Sequence, residues 1–98
     1  MTFREELSIA EKDAIAQKID DALARIRTRQ DLADFANLLG DIHAKGAFEE
    51  TMISNYLDGI SGALHNLHGY CRNHGFADPK QPDWQWMGRI LVLAFSNA

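Results

Sequence analysis

Ninety-eight residues, 46% apolar and 24% charged, describe one folded domain with no room for a second independent core. A net charge of −4 argues against a nucleic-acid binder, because an acidic surface repels phosphate backbones, and favours a basic partner. The lone cysteine, Cys71, excludes an intrachain disulfide. The first residues lack the basic and apolar regions of a signal peptide. The longest apolar stretch, 84–95, is too short to span a bilayer and is interrupted by Gln85, Gly88 and Arg89. These features predict a cytoplasmic protein with no membrane partner.

Ser8-Ile9-Ala10-Glu11 reads as a capping box, and Thr2-Phe3-Arg4-Glu5 repeats the pattern, which allows an earlier helix start. Ile15, Ile19, Ala22, Leu23 and Ile26 then form the narrow apolar stripe of an amphipathic helix. The register breaks at Thr28 or Arg29. Asp31 places negative charge in the first turn of a second helix, whose buried arc is Leu32, Phe35, Ala36, Leu38, Leu39 and Ile42. Gly46, preceded by Lys45, is its expected stop.

A third helix is expected from near Glu49-Glu50-Thr51 to Asn73-His74-Gly75. Its predicted inner face is Ile53, Tyr56, Leu57, Ile60, Leu64, Leu67 and Cys71. A loop at 76–81 follows, bracketed by Pro79 and Pro82. Asp83 is the expected N-cap of a last helix. That helix is apolar around most of its circumference and leaves Gln85, Arg89, Val92 and Ser96 for solvent, so it must sit centrally and touch at least two others. No alternating strand pattern appears. The fold class is all-α, a compact bundle of four helices with room for a fifth.

The third helix also carries Asn55, Gly59, Gly62, Asn66, Gly69 and Asn73, spaced four, three, four, three, four along one side. Each glycine costs a helix about 1 kcal/mol relative to alanine, so three on one face imply a close approach to the backbone. The neighbour is the first helix, a second copy in a homodimer, or a different protein. Acidic residues adjoin this stripe: Asp34 and Asp41 on the second helix, and Glu49, Glu50 and Asp58 at the start of the third. Ordinary solvated faces explain most such runs; a docking surface for a basic partner is the functional alternative. Together the stripe and the acids make the candidate partner-binding set.

His65-x-x-His68-x-x-Cys71-x-x-His74 offers ligand types for a metal, but steps of three drift backwards around a helix, so His65 and His74 end on opposite sides. His68 could share a metal only with His65 or Cys71, the lesser alternative of a metal-binding sensor or enzyme, so no metal or cofactor is expected. His43 points to the core edge with no nucleophile or carboxylate placed to work with it, and no phosphate loop or Glu-x-x-His pair is present. No catalytic residue is expected.

Phe35, Leu39 and Asp41, then Phe48-Glu49, Tyr56-Leu57 and Pro82-x-Trp84, resemble a family of small all-helical bacterial proteins of unknown function. The likeness runs from Thr28 onward, about two-thirds of the chain; at the second point the family usually has Trp followed by Glu-Asn, where this chain has Phe48, Glu49 and Glu50. The resemblance implies an immunity protein that neutralises a toxin of interbacterial competition, such as a basic nuclease domain, by binding it.

Overall fold

The computed structural model describes residues 3–81 and 83–96, so the expectations resting on Thr2 and Pro82 lie outside the described residues. Among the described residues there are five helices: α1 (Ile9–Ala24), α2 (Arg29–Ala44), α3 (Ile53–His65), α4 (Leu67–His74) and α5 (Trp84–Ser96). The chain is an all-α bundle. The sole pairing of extended segments among these residues is an isolated bridge between Phe3 and Phe48.

Local chemistry sets the helix ends. Ser8 caps α1, its hydroxyl accepting from the Glu11 backbone N–H at 3.0 Å while the Ser8 N–H donates to the Glu11 carboxylate at 3.0 Å. Thr28 and Asp31 repeat this reciprocal pair at α2. Their spacing is the same as in Ser8-x-x-Glu11, a signal that reading Asp31 for its charge alone overlooks. Backbone donors hold both carboxyls below their ordinary range, led by the Ser8 N–H for Glu11 and the Arg27 N–H for Asp31. Gly46 and Gly75 follow α2 and α4 with φ of +81° and +74°, the left-handed conformation glycine adopts without steric cost. Asp83 accepts from the Trp86 N–H at 2.7 Å, as expected of an N-cap.

The expected single third helix is two, interrupted at Asn66, whose ψ is 8°. Hydrogen bonds still cross the interruption, since Asn66 N–H donates to Gly62 O and Tyr70 N–H to Asn66 O, each at 3.0 Å. The start is also later than expected, at Ile53, because the Glu50 carboxylate turns forward to accept from Met52 N–H at 2.8 Å.

The last helix, α5, is central as predicted: it packs on α1, α2 and α3, whereas among the described residues the α3 backbone comes close to neither α1 nor α2. Its rotation differs from expectation. Gly88 and Val92 are buried, so Val92 does not face solvent. A Cβ at position 88 would lie 2.6 Å from Ile26 Cδ1 and 3.2 Å from Leu23 Cδ1, so the glycine lets α5 close onto the end of α1. Gln85 reaches the same end, its Nε2 donating to Leu23 O at 3.3 Å and satisfying a terminal carbonyl.

The core lies where α1, α2 and α5 meet the 47–48 segment. Phe48 is fully buried, stacked on Phe95 with ring centroids 4.0 Å apart and on Phe3 at 5.8 Å. Arg4 N–H donates to Ala47 O at 3.0 Å and fastens the N-terminal segment over this stack. Ala47 and Phe48 fall outside every periodic stretch of the sequence, so helical patterning gives no sign that they are core.

Candidate functional site: an apolar groove

The largest departure from expectation is the orientation of α3. Its buried residues are Gly59 and Ala63, and α5 is the only long helix it packs on. The small side of α3 therefore faces α5, and Gly59 is enclosed within the chain with Gly62 half-buried beside it. The first helix does not cover the stripe. Asn55, Asn66 and Asn73 are exposed, and Gly69 is half-buried on α4. Asn55 Nδ2 donates to Glu50 at 3.3 Å, so it serves the start of its own helix.

With Gly59 and Ala63 inward, the predicted inner face is split: Cys71 is buried and Tyr56, Ile60 and Leu67 are half-buried, while the rest turns out. Ile53, Leu57 and Leu64 are 76%, 57% and 55% exposed, and Ile60 is half-buried. The reason is steric: backbones approach most closely where side chains are smallest, so α5 takes Gly59 and Ala63 and leaves the branched side chains to one flank. Tyr56 fixes this rotation, because its hydroxyl donates to Leu91 O on α5 at 2.6 Å.

That flank borders a groove floored by α5 and walled by α2 and α3. At one end Leu32, Leu64, Leu67, Trp86 and Met87 line a hollow of about 430 Å³, with Lys80 at its edge. At the other, Ala36, Gly40, His43, Ile53 and Phe95 line one of about 330 Å³, with Glu50 at its edge. Leu91 belongs to both hollows, so they lie side by side along the bundle. From Leu32 to His43 the α2 wall is roughly 16 Å long at 1.5 Å per residue, three turns of helix.

Each end is held in place. His43 lies beside Phe48 and Phe95, with centroids 6.4 and 6.2 Å away, and its Nε2 is 3.2 Å from Glu50 O, tying α2 to the start of α3. At the other end Asp78 accepts from His68 Nδ1 and from the Cys71 thiol, fastening the 76–81 loop to α4. The His68 bond is the main cause holding the Asp78 carboxyl below its ordinary range. Burial, then Asp78, pushes the Cys71 thiol up, the opposite of what a nucleophilic cysteine needs. His65 is engaged elsewhere, its Nδ1 2.8 Å from Ser61 O. Among the described residues no group of three or more His, Cys, Asp or Glu is placed to hold a metal ion.

A satellite cluster braces α4 against α5. The Arg89 guanidinium lies 4.8 Å from the Phe76 ring centroid and 5.1 Å from that of Trp86. Tyr70 stands over His74 at 4.3 Å.

Of the acidic candidates, Asp34, Asp41, Glu49 and Asp58 are exposed and Glu50 is half-buried. Three of them line different depressions. Asp34 borders a depression with Ala22 and Arg25 on the α1 side of α2, Glu49 borders Arg4 and Glu5, and Glu50 alone lines the groove. Among the described residues, no helix is long and apolar enough to cross a membrane. No protein-family model matches the chain, and neither the curated proteins nor the solved structures yield a match.

Proposed function

We propose that this chain is a non-enzymatic binding protein whose working surface is the groove between α2 and α3, built to receive an apolar helical face. The observation that carries this reading is the open row Ile53, Leu57 and Leu64 beside an apolar floor. Contiguous exposed apolar surface of this kind marks interaction sites, and paired helices with an apolar seam between them are a recurrent way to bind a third. Leu57→Gln and Leu64→Gln should abolish association with a protein partner while leaving the circular dichroism helical. Binding indifferent to both substitutions would remove the groove from the function.

A narrower reading concerns the partner's chemistry. The net charge of −4 and the exposed Asp34, Asp41, Glu49 and Asp58 favour a basic protein, whose encounter such a field speeds. We propose on this basis, and on the family resemblance, an immunity-type protein that neutralises a basic toxin domain. Co-expression should rescue growth of cells producing the toxin encoded beside this gene. A neighbouring product that is harmless alone would leave the toxin reading without support.

A further inference from the structure

We infer that the occupant of the groove is a second copy of this chain, with the two α3 helices running antiparallel across a two-fold axis. The inference rests on the groove being a docking surface and names what docks there. Three features select this occupant.

The first is the pattern of the open face. Ile53, Leu57, Ile60 and Leu64 on α3 are spaced four, three, four, the repeat of a helix seam that packs against another helix, with Ile60 half-buried and the other three exposed. Leu32, Ala36, Leu39 and His43 on the opposite wall are spaced four, three, four. The groove thus asks for a helix bearing an apolar seam, and α3 is such a helix with that seam unpartnered in one copy.

The second is charge. The groove's two ends differ in sign, Glu50 at the start of α3 and Lys80 at the far end. A two-fold that reverses the groove sets Glu50 of one copy beside Lys80 of its partner, and repeats the pair at the opposite end. A parallel pairing would place like charges together. Met52 N–H and Asn55 Nδ2 both donate to the Glu50 carboxylate and hold it at this position.

The third is steric. The α2 wall presents Ala36 and Gly40, and a Cβ built at Gly40 would meet nothing within 4 Å. Small side chains there leave room for the partner's Ile and Leu. The acids Asp34, Asp41, Glu49 and Asp58 are not among the groove's lining residues, so they stay available to a basic protein in the dimer.

Sedimentation equilibrium on the purified chain tests this directly. The expected species has twice the 11.0 kDa chain mass. Leu57→Gln should weaken dimerisation at least tenfold without loss of helicity. Glu50→Lys and Lys80→Glu should each weaken it several-fold, and the double exchange should restore it. A dimer that responds to Leu57→Gln but not to the charge exchanges overturns the antiparallel arrangement. A chain that stays monomeric at its highest soluble concentration overturns the second copy as occupant. In that case, a protein partner lost on Leu57→Gln keeps the groove as a docking surface, whereas a partner bound equally well by both forms removes the docking reading too.

Discussion

Helix α3 has two rows of equal pitch and opposite fate. One, running through Asn55, Gly59, Gly62 and Asn66, is poor in side-chain surface, with Gly59 buried and Gly62 half-buried on a helix that packs on α5. The other, Ile53, Leu57, Ile60 and Leu64, is rich in it and lies open except at half-buried Ile60. Burial of an apolar side chain stabilises a fold by roughly 1.5–3 kcal/mol, so a row left open forgoes a large contribution within one chain. The comparison teaches that close backbone packing, backed by the Tyr56–Leu91 hydrogen bond, decides which face of a helix turns inward. The face left over is then the one with most to gain from a second molecule.

Substitutions on the two rows should separate these roles. Gly59→Leu forces a side chain into the α3–α5 contact and should cost about 1–3 kcal/mol in urea unfolding, as overpacking usually does. A neutral result would mean that α3 can rotate its Ile/Leu row inward, which would erase the distinction between the faces.

The caps of α1 and α2 act on helix formation and not on the choice of face. Thr28→Ala should cost about 1 kcal/mol in the same measurement. Glu11 and Asp31 have carboxyls held down in the folded chain, so their stabilisation is fully present above the ordinary carboxylate pKa of about 4 and is lost as pH falls through the lower folded values. The melting temperature should therefore hold from neutrality to about pH 5 and fall below about pH 4. Asp31→Asn, which removes the titrating carboxyl, should flatten that fall, and an unchanged acid profile would show that Asp31 contributes nothing to it.

Gly69 belongs to the same sequence stripe as Gly59, yet a Cβ there would meet nothing within 4 Å. Gly69→Ala should stabilise the chain by about 0.5–1 kcal/mol through the gain in helix propensity. The opposite signs expected at these two positions divide the stripe into a packed part and a free part. The smallest effect belongs to the open row. Leu57→Gln should change monomer stability by no more than about 0.5 kcal/mol when measured at a concentration low enough to dissociate any complex. A loss several times larger would show that Leu57 is already covered within one chain.

The sequence by itself was sufficient for most helix ends, though not for the interruption at Asn66. Ser8 and Glu11, Asp83, and the glycines after α2 and α4 fix helix ends through hydrogen bonds made within a few residues, so neighbours in the chain reveal them. The near-uniform apolarity of α5 likewise announced a central helix, because only contact with several neighbours can cover it. The groove was not legible in the same way. Periodicity found both rows of α3 but assigned the inner side by hydrophobicity, and it passed over Phe48, whose burial comes from rings supplied by Phe3 and Phe95. Which row turns inward depends on how near α5 can come, on Gly88 admitting α5 to the end of α1, and on a hydroxyl reaching a carbonyl 35 residues away. Those are contacts between distant segments, and only the tertiary structure brings them together.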